Sequence, residues 1–144
     1  MTIYLACTVR GDRGAVAALR TLAACLEQDG HVILTKHLLD DDVDTAEASL
    51  SEAGVYARDV EWLDACDLLI ADASGSSYGV GFEVGYVLGR AGASGQRVVL
   101  LYDRARRQAI SRLITGNTDA ACTTFGYGSI DELTAFIDRE FAPR

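Results

Sequence analysis

A chain of 144 residues has room for one domain with a real core and too little for two. At 49% hydrophobic residues it is not a disordered chain, and no apolar run approaches the ~20 residues of a bilayer-spanning helix. The formal net charge of −8 argues against a nucleic-acid polymer as partner, although a small phosphate ester needs only a local positive field.

The elements follow in order. Ile3 to Cys7 reads as a first strand. The residues around it, Met1-Thr2-Ile3-Tyr4-Leu5, lack the basic segment and long apolar stretch of a secretion signal, so a cytoplasmic protein is expected. Ala15 to Leu26 is an alanine- and leucine-rich helix stopped at Gly30, and Val32 to Leu34 is a second strand. Asp40 to Ser49 is a polar, acidic loop, either mobile over a site or simply solvated. A helix from Ser51, its candidate N-cap, runs to Ala65. Leu68 to Ala71 is the third strand, Gly81 to Gly92 a helix, and Val98 to Tyr102 the fourth strand. Arg106 to Thr115 is predicted helical, Ala121 to Phe125 is a short fifth strand, and Ser129-Ile130-Asp131-Glu132 opens the last helix as a capping box.

Strands alternating with helices imply right-handed crossovers and a parallel sheet. The expected fold is α/β: a single doubly wound, Rossmann- or flavodoxin-like domain over residues 1–144, with five parallel strands in the order 2-1-3-4-5. Ligands in such sheets sit beyond the strand C-termini where the order reverses. That point gathers Cys7 to Gly11 and Asp72 to Gly81.

The stretch Ser74-Gly75-Ser76-Ser77-Tyr78-Gly79-Val80-Gly81-Phe82-Glu83 joins a strand to a helix. Backbone N–H groups at a helix start bind anions, and Ser and Gly let a phosphate approach closely. The carboxylate of Glu83, read in the first turn, suits a helix start electrostatically. Beside a phosphate cradle it makes more sense as a group that does chemistry a short distance away. Asp59 borders the apolar side of its helix with Val55, Trp62 and Cys66; Tyr56, Val60 and Leu63 form the predicted core face, and Arg58 and Glu61 point to solvent. A half-buried Asp59 has the raised pKa an acid catalyst needs, or else pairs an arginine or caps a helix. Two such carboxylates are the equipment for cleaving a glycosidic bond. Thr8-Val9-Arg10-Gly11 is not a dinucleotide fingerprint; Arg10 is either an anion partner or a surface arginine. Tyr4 lies inside the first strand, and His37 ends the second. Cys7, Cys25, Cys66 and Cys122 form no C-x-x-C pair and there are two histidines, so buried thiols and no metal site are expected.

Taken together, the segments resemble the 2′-deoxynucleoside 5′-monophosphate N-hydrolases of the nucleoside 2-deoxyribosyltransferase superfamily. The resemblance rests on Tyr4, Thr8-Val9-Arg10-Gly11, Leu34-Thr35-Lys36-His37, Asp59-Val60-Glu61-Trp62-Leu63, Ser77-Tyr78-Gly79-Val80-Gly81-Phe82-Glu83 and Ile110-Ser111-Arg112-Leu113-Ile114-Thr115-Gly116. It implies a metal-free, cofactor-free hydrolase of nucleoside monophosphates. Glu83 would be its nucleophile, Asp59 its proton donor and Tyr4 the residue that orients the carboxylate. It implies substrate binding by Thr8, Arg10, Gly11, His37, Ser77, Gly79 and Gly81. It also implies a homodimer in which Ser111 reaches the neighbouring subunit's phosphate. Thr8 stands where the family has serine, Cys7 where it has glycine, Ser76 where it has proline and Tyr78 where it has leucine. The alternatives are a ribonucleotide N-glycosidase acting on a substrate such as CMP, a nucleoside 2-deoxyribosyltransferase, and a nucleotide-sensing module without turnover.

Overall fold

A computed structural model describes residues 1–141. Five parallel strands form one sheet: β1 (Thr2–Ala6), β2 (Val32–Ile33), β3 (Leu68–Asp72), β4 (Arg97–Asp103) and β5 (Cys122–Tyr127). Their order is β2-β1-β3-β4-β5, as the sequence predicts. β1 sits between β2 and β3, with Ile3 opposite both Ile33 and Leu68. The order therefore reverses between β1 and β3, and the strand ends Ala6 and Ala71 are in register there.

Each face of the sheet is covered. Alternation along β1 sends Ile3 and Leu5 to one face, where α1 (Val16–Gln28) and α6 (Ile130–Phe141) supply Leu19, Leu22, Leu26, Leu133 and Phe136. Tyr4 and Ala6 point to the other face, against Leu63 of α3 (Glu52–Ala65) and Val80, Val84 and Val87 of α4 (Tyr78–Ser94). Burial of each large aliphatic side chain contributes about 1.5–3 kcal/mol. β3 is buried along its whole length because helices cover both of its faces.

The caps fix where the helices begin. Ser51 caps α3 by accepting from the Gly54 N–H at 3.0 Å, and Ser129 accepts from the Glu132 N–H at 3.2 Å, as predicted. Ser77 caps α4 by accepting from the Val80 N–H. α4 thus starts at Tyr78, one turn earlier than the apolar periodicity indicates, and Glu83 lies in its second turn rather than its first.

Other segments also depart from expectation. The acidic loop contains α2 (Val43–Glu47), preceded by a 3-10 turn at Lys36–Leu39 that holds His37 beyond the end of β2. Arg106 to Thr115 is not one helix. A 3-10 turn (Arg104–Ala109) and the short α5 (Arg112–Thr115) are separated by extended backbone at Ile110 and Ser111. Tyr56 is 59% exposed, packing on Phe82 outside the core. Among the described residues no helix is long and apolar enough to cross a membrane.

Candidate active site

A cleft of about 920 Å³ opens at the C-terminal ends of β1 and β3, the reversal point of the sheet. Glu83 from α4 and Asp59 from α3 both line it. Its remaining wall is apolar at Cys7, Val9, Leu38 and Val55.

Tyr4 is fully buried in β1 and donates a 2.6 Å hydrogen bond to Glu83 Oε1. The strand pleat aims the phenol at α4, and the start of α4 at Tyr78 brings Glu83 round to meet it. Burial drives the Glu83 carboxyl up to about 7; the Tyr4 hydroxyl pulls it down, and the Asp59 charge pushes it up further. The group therefore titrates near neutrality. The Tyr4 hydroxyl is itself held far above its ordinary range by burial and the neighbouring carboxylates, so it remains a donor.

Asp59 is half-buried, and desolvation raises its pKa while the Arg58 guanidinium opposes the rise. Arg58 does not point to solvent. It donates to Asp59 Oδ1 from Nε at 2.9 Å and to Glu47 Oε1 from Nη2 at 2.6 Å, and it lies 4.9 Å above the Trp62 ring. Glu47, at the end of α2, lines the cleft and stands 3.5 Å from His37 Nε2.

The loop from β3 to α4 is built around close approaches. A side chain at Gly75 would meet the Asp12 carbonyl oxygen at 2.6 Å and collide with Thr8, so only glycine fits. Ser76 has φ +52, a left-handed conformation that a proline ring, fixed near −65°, cannot adopt. This loop therefore takes a path closed to a chain with proline there. Ser74 is anchored at both ends: its N–H donates to Asp72 Oδ1 and its hydroxyl accepts from the Asp103 N–H, each at 2.8 Å. Beyond Ser77, the N–H groups of Tyr78 and Gly79 open α4 without helical acceptors, and both residues line the cleft. Across from them, Gly11 takes φ +116, and Arg10 is exposed and 3.6 Å from Asp44 of α2.

Of the residues singled out in the sequence, the cleft brings together Arg10, Gly11, Asp59, Ser77, Gly79 and Glu83, with Tyr4 joined through its hydrogen bond. Thr8 lies beneath Gly75 with its hydroxyl buried and unpartnered. His37 is edge-on to Trp62 at 5.6 Å behind Glu47, and Gly81 lies on the exposed side of α4. Ser111 is exposed, caps α5 by accepting from the Leu113 N–H, and does not line the cleft of its own chain. Sequence reasoning missed Glu47 and Arg58. The signal for Arg58 was its place beside Asp59, with an acidic segment upstream to pair with. It also missed Asp72, a buried carboxyl held by the Tyr127 hydroxyl at 2.7 Å and raised by desolvation. Among the described residues no three His, Cys, Asp or Glu side chains are grouped as metal ligands.

A reversing parallel sheet with two carboxylates at its crevice, next to a serine- and glycine-built helix start, defines a doubly wound α/β protein with a paired-carboxylate site. The sequence profile described as Nucleoside 2-deoxyribosyltransferase matches residues 3–129, and the chain belongs to that family. It is 38% identical over 138 residues to a protein provisionally named 2′-deoxynucleoside 5′-phosphate N-hydrolase 1 from Thermofilum pendens, covering 96% of this chain and 93% of that one. It is 34% identical over 117 residues to 5-hydroxymethyl-dUMP N-hydrolase from Danio rerio, covering 81% and 78%. In fold it is similar to the CMP N-glycosidase of Clostridium botulinum, with a TM-score of 0.70 at 21% identity over 98% of this chain and 100% of that one.

Proposed function

We propose that the protein hydrolyses the N-glycosidic bond of nucleoside 5′-monophosphates, releasing a free base and a (deoxy)ribose 5-phosphate. The observation that carries this is the pairing of Glu83 and Asp59 in one cleft beside the free N–H groups that follow Ser77. The family membership and the names of the relatives support it.

In this reading Glu83, held by Tyr4, attacks C1′ as the carboxylate. The C1′–N bond breaks with its electron pair passing to the base, and Asp59 delivers the proton that neutralises it. Water then adds to C1′, returns a proton to Asp59 and frees Glu83. The transition state carries positive charge on the sugar, which an adjacent carboxylate stabilises. The N–H groups of Tyr78 and Gly79, with Ser77, Gly11 and Arg10, hold the 5′-phosphate; Arg10 exchanges Asp44 for it. Thr8 supports the loop from below, and His37 steadies the wall beside Glu47. The working unit is a homodimer in which Ser111 reaches the partner's phosphate, and the expected location is the cytoplasm.

The family description favours a second reading, transfer of the sugar to an acceptor base. Incubation with a panel of ribo- and deoxyribonucleoside monophosphates, with and without free base, followed by chromatography, separates the two. Base release without acceptor supports hydrolysis. Product that forms only with acceptor supports transfer, and no product from any nucleotide would leave a binding module. Cys7 lines the cleft at the end of β1, so both the ribo and deoxy series belong in the panel.

A further inference from the structure

Arg58 sits between two acids on different elements. Nη2 donates to Glu47 Oε1 at 2.6 Å and lies 2.8 Å from Asp59 Oδ1, which also accepts from Nε. Both contacts to Asp59 fall on Oδ1, and among the described residues Oδ2 has no hydrogen bond. Asp59 lines the cleft, so the oxygen left over is the one available to a ligand. Trp62, beneath the guanidinium, restricts its plane. We infer that Arg58 is a positioning residue for Asp59, and that Glu47 sets the strength of its hold by competing for the same guanidinium.

The arrangement resolves a conflict in the proposed chemistry, on which the inference rests. An acid catalyst must keep its proton until the bond breaks, and an undivided arginine beside Asp59 would strip that proton away. Arg58 is needed to fix the carboxyl, because an aspartate half-exposed in a wide cleft otherwise samples several rotamers. Sharing the guanidinium with Glu47 keeps the geometry while diluting the charge felt by Asp59. The groups facing Asp59 are Arg58 on its own helix, Glu47 from α2, His37 from the 3-10 turn, Glu83 from α4 and Tyr4 from β1. Burial raises its pKa, Arg58 and His37 lower it, and Glu47 raises it. Glu47 belongs to α2, which also carries Asp44 against Arg10. The same short helix therefore touches both the acid side and the phosphate side of the cleft.

The test is a ¹³C NMR titration of protein labelled at aspartate Cγ, with the Asp59 signal identified by its loss in Asp59→Asn. Arg58→Gln raises the Asp59 titration midpoint by about 1 pH unit. Glu47→Gln lowers it, since Asp59 then has the guanidinium to itself. In turnover assays Arg58→Gln lowers kcat by roughly 10–100-fold with KM within about threefold, and Arg58→Lys recovers part of the loss. Midpoints that move in the same direction, or not at all, overturn the inference, as does wild-type kcat in Arg58→Gln. Glu47 lies on a separate short helix, α2, so the lowered midpoint required of Glu47→Gln remains a test even where the Arg58 variant folds poorly. A wild-type protein that releases no base would refute the hydrolase reading, while the two NMR midpoints would still decide whether Arg58 is divided between the acids.

Discussion

Glu83→Gln should make the protein more stable and inactive at once, by an amount that depends on pH. In the native cleft the Glu83 carboxyl is raised from the ordinary 4.5 to about 7, mainly by burial. A carboxyl with a raised folded-state pKa binds more protons in the folded than in the unfolded chain between those two values. Its effect on stability is therefore neutral below pH 4.5, turns increasingly unfavourable as pH rises through 7, and is constant above that. At 1.36 kcal/mol per pKa unit, the rise corresponds to roughly 3 kcal/mol. Gln has nearly the same volume, and its carbonyl oxygen can accept the Tyr4 hydrogen bond, so the substitution removes the charge and little else. Variant and wild type should melt together near pH 4 and separate by roughly 6–12 °C at pH 8, taking about 2–4 °C per kcal/mol for a chain of this size. Thermal melts followed by circular dichroism from pH 4 to 9 measure the gap. At pH 8 kcat should fall by at least ~10³, about 4 kcal/mol of barrier. Two melting curves that stay parallel across the pH range would refute the buried-carboxylate account, and near-wild-type turnover would remove Glu83 from the chemistry.

The other expectations concern the acid, the phosphate and the partner subunit. Asp59→Asn should slow base release strongly, with a smaller loss for substrates whose bases leave readily; an equal loss across leaving groups would assign Asp59 to structure. A nucleoside lacking the phosphate should lose at least ~2–3 kcal/mol in kcat/KM relative to its monophosphate, and equal turnover of the two would contradict the phosphate role of the helix start. Mixing Glu83→Ala subunits with Ser111→Arg subunits should restore activity, since one site of each mixed dimer keeps both residues. Mixed dimers that form and remain inactive, or an active monomer by light scattering, would reject the shared site.

The sheet was legible because its strands are short apolar runs at regular intervals. Leu68 to Ala71 and Val98 to Tyr102 have no other plausible place than a core covered on both faces. Glu83 and Asp59 were legible as candidates because each borders the apolar side of its helix, and the fold brings both to the cleft. The start of α4 was not: Gly79 and Gly81 are poor helix formers, and only the Ser77 cap overrides them. Tyr56 fits the apolar period of α3, yet its partner Phe82 is itself half exposed, so the pair forms an aromatic surface patch. The inward turn of Arg58 depends on Glu47, eleven residues away on a helix that reads as loop, and local periodicity does not report such a pairing.

The cleft concentrates interactions that cost stability. Glu83, Asp59 and Asp72 are all carboxyls whose ionised forms are disfavoured by burial, and all three lie near the C-terminal ends of β1 and β3. Each is restrained by a different donor: Tyr4 for Glu83, Arg58 for Asp59, and Tyr127 with the Ser74 N–H for Asp72. The donors differ in kind for a physical reason. A phenol can hold a carboxylate without neutralising it, which leaves Glu83 able to ionise near pH 7, as the nucleophile of the proposed reaction must. A guanidinium holds more firmly but biases its partner toward the charged form, which an acid catalyst tolerates only if the charge is shared. Asp72 has both oxygens occupied by neutral donors and none left for a ligand, so its place is to fix the loop rather than to react. The division of labour among three similar carboxyls follows from what touches each one.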